Sequence, residues 1–261
     1  MMRIIKILSC LGLLFVLISC SSNTTTKAGK PDPAKEATRK SNVLINLGLA
    51  YVKRGQNQVA LDQFNKALEI DPNSHDAHTA LANLYESIAR SDIAQQHYKK
   101  AVELAPDNPS TLNNYGKYLC NKGSYQEAES YFSKAANTPL YARAWIPLTN
   151  AGQCMQRATQ LDKAEQNFRA ALKANPTFAP ALIAMAQLSY QQQKYRTARA
   201  FLQRYESVNQ LNAEQLLLAV NIEQALGDHE TARNYAQQLH EQFPAAPQPG
   251  QLKAPSDLGN H

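Results

Sequence analysis

From about residue 41 to residue 244, the apolar residues of this chain recur at helical spacing. Leu44, Leu47, Gly48 and Tyr51 fall on one side of a predicted helix. Ala60, Phe64 and Ala67 fall on one side of the next. Pro72 ends that second helix, because proline has no amide hydrogen and restricts the residue before it. The pattern predicts an all-α body. Composition agrees with it: Ala, Gln, Leu and Asn abound, and only 10 of 261 residues are Gly.

The pattern also returns at a fixed distance. Thirty-four residues on stand His78, Leu81, Ala82, Tyr85, Ala94, Tyr98, Ala101 and Pro106. A further 34 brings Leu112, Tyr115, Gly116, Leu119, Ala128, Phe132 and Ala135. This period, with this order of small and large residues, is the tetratricopeptide signature. Gly48, Ala82 and Gly116 mark where the first helix of a unit meets the second, and Ala60, Ala94 and Ala128 answer from the second. Tyr51, Tyr85, Phe64 and Tyr98 are expected to fill the space between units.

A fourth unit (Leu148, Ala151, Gly152, Met155, Ala164, Phe168, Ala171, Pro176) starts 36 residues after the third. Two extra residues therefore lie around "NTPLYARAW". Weaker fifth and sixth units follow, the last eroded as a capping unit would be. The expected fold is a tetratricopeptide-repeat (TPR) solenoid. About six helix-turn-helix units, starting near 41, 75, 109, 145, 179 and 213, would form a right-handed superhelix across 41–244.

The ends differ from the body. Arg3 and Lys6 precede an apolar run, Ile7 to Ile18, too short to cross a hydrocarbon layer of about 30 Å. Basic start, short apolar middle and processing site make residues 1–19 a signal peptide. The site, Leu17-Ile18-Ser19-Cys20, resembles a bacterial lipobox, in which Cys20 takes a diacylglycerol and becomes the first mature residue. The alternative is an ordinary signal sequence with an incidental cysteine. Each buried methylene of an acyl chain contributes about 0.8 kcal/mol, so several chains anchor firmly. Ser21, where the resemblance would have Asp favour the inner membrane, points to the periplasmic face of the outer membrane. Residues 20–40 read as the lipidated cysteine and a flexible tether of about 25 Å root-mean-square reach. The Pro/Gly-rich stretch 245–261 reads as a disordered tail.

Charge narrows the partners. The net charge is +6, or +4 once Arg3 and Lys6 are removed, and the cations are scattered among acids. No nucleic-acid footprint is expected. The histidines have no HExxH spacing, and the chain has neither a phosphate loop nor a nucleophile elbow. His75 and His78, three apart, read as two solvated histidines, and Trp145 as a packing residue. No enzyme activity, cofactor or metal is expected.

A stack of such units does offer a groove, lined by the first helices and suited to a segment of another protein. Positions 2, 5, 9 and 12 of those helices are expected to face it. They are Asn42, Ile45, Leu49 and Val52 in the first unit, Asp76, Thr79, Asn83 and Glu86 in the second, and Ser110, Asn113, Lys117 and Cys120 in the third. One end is thus apolar, with anchoring as its reading. Asn83 and Asn113 would supply backbone hydrogen bonds. Packing of Ile45, Leu49 and Val52 under the tether or against neighbouring helices is the alternative. Cys120 and Cys154 lie one period apart on adjacent first helices, so an oxidising periplasm predicts a disulfide. Two buried free thiols are the alternative.

The whole arrangement resembles the PilF/PilW family of type IV pilus assembly lipoproteins. The supporting stretches are "LGLAYVKRGQNQVALDQFNKALEIDP" and "NNYGKYLCNKGSYQEAESYFSKAANTPLY", the second leading into the two-residue expansion. The resemblance covers about residues 17 to 244. It implies a pilotin that binds the type IV pilus secretin subunit, brings it to the outer membrane and promotes its multimerisation, or stabilises the pilus; a monomer is the separate expectation for its oligomeric state. Other periplasmic TPR lipoprotein adaptors, for peptidoglycan hydrolases or outer-membrane protein assembly, are the rival class.

Overall fold

The computed structural model describes residues 32–246, and among them twelve helices and no strand. They pair in chain order. The first unit is α1 (Pro33–Lys53) with α2 (Asn57–Ile70), the second α3 (His75–Ser87) with α4 (Ser91–Leu104), and the third α5 (Pro109–Asn121) with α6 (Tyr125–Ala136). Then come α7 (Trp145–Arg157) with α8 (Leu161–Ala174), α9 (Ala179–Gln191) with α10 (Tyr195–Glu206), and α11 (Ala213–Leu226) with α12 (His229–Gln242). Each first helix packs on its own second helix, and α1, α3, α5, α7 and α9 also pack on one another in that order. The result is a tetratricopeptide solenoid.

The local chemistry explains the helix ends. Ser74 and Asn108 cap α3 and α5 with side-chain oxygens that accept from backbone amides, at 3.2 Å from Ala77 N and 3.0 Å from Ser110 N. Pro72, Pro106 and Pro176 each stand two residues beyond the last residue of a second helix. A capping box at Asn212 and Gln215 opens α11.

The start of the body corrects the expected tether. Residues 33–40 are helical and extend α1 by two turns. Asp32 caps this extension, its Oδ1 accepting from Ala34 N at 3.0 Å, and Pro33 takes the first turn, where its missing amide costs nothing. The Thr38 hydroxyl donates to Asp71 Oδ2 at 3.1 Å and ties the extension to the turn after α2. Cys20, the signal region 1–19, tether residues 20–31 and tail residues from 247 onward lie outside the described residues. Residues 245 and 246 form a turn after α12.

The core follows the repeat. In the first, third and fourth units a glycine of the first helix faces a phenylalanine of the second: Gly48 with Phe64, Gly116 with Phe132, Gly152 with Phe168. All three rings are buried. Phe64 thus lies across Gly48 of its own unit, while sharing a cluster with Ala77 and Leu81 of the next. Tyr98 spans units, its ring centroid 4.9 Å from that of Tyr118. Trp145 packs beside Phe178, with centroids 6.3 Å apart.

Candidate functional site

The first-helix positions behave differently from one another. Position 5 forms a floor: Ile45, Thr79, Asn113 and Thr149 are all buried. Position 9 is exposed in the first five units, as Leu49, Asn83, Lys117, Gln153 and Gln187. Helical geometry accounts for the split, since i and i+4 share a face while only one of them points squarely at the neighbouring helix.

Between α1 and α3 this surface forms an open cavity of about 420 Å³. Asn42, Ile45, Leu49, Asp76, Thr79 and Asn83 line it, as the repeat register predicts. Asn46 and Ala80 join them. Asn46 went unremarked in the sequence, although it sits one turn beyond Asn42 and the same periodicity would have placed it there.

The apolar end divides. Ile45 is 6% exposed and packs with Ala80 and Leu84, so it is core. Val52 is half-buried against the same cluster. Leu49 is 41% exposed and open to the cavity. The packing alternative therefore describes Ile45 and Val52, and the anchor reading is left to Leu49.

The polar end is partly committed to the fold. Thr79 Oγ1 donates to the His75 carbonyl at 2.8 Å, a bond repeated by Thr149 to Trp145. The hydroxyl of buried Tyr98 lies 2.6 Å from Asn83 Oδ1 and 2.9 Å from Glu86 Oε2. Burial, reinforced by Glu86, pushes that hydroxyl's pKa far up, so it stays a neutral donor. Glu86 Oε1 also accepts from Asn121 Nδ2 at 2.9 Å, and Asn121 Oδ1 accepts from Arg157 at 2.8 Å. Asn113 Oδ1 accepts from Asn150 Nδ2 at 2.8 Å, across the third and fourth units. Glu86, Asn121 and Arg157, near the C-terminal ends of three successive first helices, thus form an inter-unit ladder. Lys117 forms no ion pair with a carboxylate among the described residues.

Cys120 and Cys154 are both buried and meet with Cα atoms 5.8 Å apart, the span of a disulfide. The two-residue expansion is absorbed before α7, so the first helices keep their register.

The histidines correct the solvated reading. His78 is half-buried, with Nδ1 2.9 Å from Nδ1 of His97, and His97 stacks on Tyr85 with ring centroids 5.7 Å apart. His75 Nδ1 lies 3.2 Å from Thr111 Oγ1. Antiparallel pairing of α3 and α4 places His97 opposite His78, a neighbour that no spacing within one helix reveals. No group of three or more His, Cys, Asp or Glu gathers as a metal site among the described residues. No described helix is long and apolar enough to cross a membrane.

Helix pairs in register around a shared groove define a TPR scaffold. Models of the TPR repeat match residues 48–88, 75–108, 97–130, 156–222 and 215–246. The type IV pilus assembly protein PilF of Pseudomonas aeruginosa is 30% identical over 230 residues, covering 88% of this chain and 90% of that protein. The solved structure of Pseudomonas aeruginosa PilF matches with a TM-score of 0.71 and 31% identity, over 82% of this chain and 96% of that one. PilW, a widely conserved type IV pilus biogenesis factor, matches with a TM-score of 0.71 and 31% identity, over 79% and 94%. The chain belongs to the PilF/PilW family of TPR proteins of type IV pilus biogenesis.

Proposed function

We propose that this protein is a lipoprotein held at the periplasmic face of the outer membrane through Cys20. There it acts as a scaffold that binds the type IV pilus secretin subunit and promotes its localisation and multimerisation. The observation that carries the reading is Leu49: a leucine 41% exposed at the mouth of a cavity between α1 and α3, in a chain of the PilF/PilW family. An open, one-sided apolar position beside amide and hydroxyl groups suits a peptide segment better than it suits water. The site has the character of a binding surface, and the scaffold role needs no catalytic group. A Cys120–Cys154 disulfide belongs to the same reading, since an envelope compartment would close it and lock the third unit to the fourth.

Two variants test this in cells. Cys20→Ala should leave an unprocessed or mislocalised protein and few secretin multimers. Leu49→Glu should leave the protein anchored and folded, with an unchanged melting temperature, yet lose secretin binding and twitching motility. Wild-type secretin multimers in the Leu49→Glu strain would refute the groove. Intact pili with altered cell-wall cleavage in a deletion strain would instead favour the rival adaptor for peptidoglycan hydrolases.

A further inference from the structure

Leu49, Asn83 and Lys117 hold the same exposed position in three successive units, so they form a row along the groove above its buried floor. Gln153 and Gln187 continue it. The row runs apolar, amide, cation, amide, amide, and Lys117 is its only charge. No carboxylate of the described residues neutralises Lys117. One turn before it on the same face stands Asn113, 9% exposed. The bond from Asn150 to Asn113 Oδ1 turns the Asn113 amide nitrogen away from α7. That nitrogen donates to no described group, yet it is not among the fully buried unsatisfied atoms. It is therefore not sealed from solvent, on the helix face it shares with exposed Lys117. A cation and a free amide N–H one turn apart form a donor pair for a carboxylate, and hydrogen bonds to a charged acceptor are the strong ones. The acid on the near side of the row, Asp76, lines the Leu49 end and would repel a second carboxylate there.

From this we infer that the groove's occupant is an extended protein segment carrying an aliphatic side chain for the Leu49 end and an acidic side chain for Asn113 and Lys117. The inference rests on the groove reading above and specifies its ligand. First helices pack about 10 Å apart, so Leu49 and Lys117, two steps along the row, are about 20 Å apart. An extended chain advances about 3.3 Å per residue, which sets the two anchors about six residues apart. The segment's direction follows from the charges: acid towards the third unit, apolar residue towards the first.

The test is selection from a displayed random twelve-residue peptide library on the full-length protein, run in parallel on Leu49→Glu and Lys117→Glu variants whose helix content and melting temperature match the wild type. Wild-type protein should enrich sequences with an aliphatic and an acidic residue about six apart. Replacing that acid by its amide should weaken a selected peptide about tenfold, the scale of one charged hydrogen bond. Lys117→Glu should exchange the acid for a basic residue. Peptides that need the aliphatic residue and Leu49 but tolerate the amide, or that Lys117→Glu binds unchanged, would overturn the carboxylate site and leave the groove standing. Failure of any sequence to enrich on wild type over Leu49→Glu would overturn both.

Discussion

The ring of Phe132 stands where a side chain on Gly116 would go: an added Cβ would meet its Cδ1 and Cε1, each at 2.9 Å. The first and second helices of the third unit touch through this pair. The second unit carries Ala82 and Tyr98 at the corresponding positions, both within one buried cluster.

Gly116→Ala gains helix propensity of about 1 kcal/mol but must displace a fully buried ring. Overpacking costs about 1 to 3 kcal/mol, and the clash is with a rigid ring, so the net change should be destabilising. Urea unfolding measures it. Adding Phe132→Leu should recover part of the loss. A single variant more stable than wild type would show that α5 and α6 can slide apart freely.

Ile45 and Leu49 sit one turn apart and should respond to truncation to very different degrees. Ile45→Ala removes a core side chain and should cost about 2 to 4 kcal/mol, with faster hydrogen exchange in α1 and α2. Leu49→Ala should change stability by less than about 1 kcal/mol, because much of that side chain already meets water. Equal losses would mean that Leu49 is core and that the partner docks elsewhere.

The Cys120–Cys154 pair should be oxidised in protein purified from the cell envelope. Peptide mapping of unfolded, unreduced protein should find neither thiol labelled, and reduction should free both. In the loop-entropy model a bridge across 34 residues contributes about 3 to 4 kcal/mol, so reductant should lower the denaturation midpoint clearly. Full labelling without reductant would show two buried thiols.

Burial lowers both ring pKa values of the His78–His97 pair from the ordinary 6.5. Lys100 adds to it at His78, against the Pro72 carbonyl, and His78 adds to it at His97. As pH falls below about 6.5 the unfolded chain takes up protons that the folded pair resists. The pair's contribution is therefore complete above that pH and declines as pH falls towards the lowered folded values. Carboxylates titrate lower, so the quantity to compare is the change in denaturation midpoint between pH 7.5 and 5.5 for wild type and for His78→Gln/His97→Gln. The double variant should show the flatter response. Identical slopes would place both rings in water.

Much of the fold was legible in the chain because its determinants are local and periodic. Expected starts at 75, 109, 145, 179 and 213 coincide with the first residues of α3, α5, α7, α9 and α11. Small residues at the crossing, large ones between units and proline after the second helix fix each unit within its own 34 residues. The same register placed Asn42, Leu49, Thr79 and Asn83 around one cavity. Other features required the tertiary structure. Helix α1 reaches back to Pro33 through a cap at Asp32 and a bond from Thr38 to Asp71, 33 residues away, and nothing in the apolar period marks that distance. Ile45 and Leu49 read alike in sequence and separate only because α3 covers one of them. His78 meets His97 and Asn113 meets Asn150 across helix pairs, at separations of 19 and 37 that match no repeat. A side chain's partner on another helix depends on where two packed surfaces come to rest, and periodicity along one chain specifies the faces without specifying that contact.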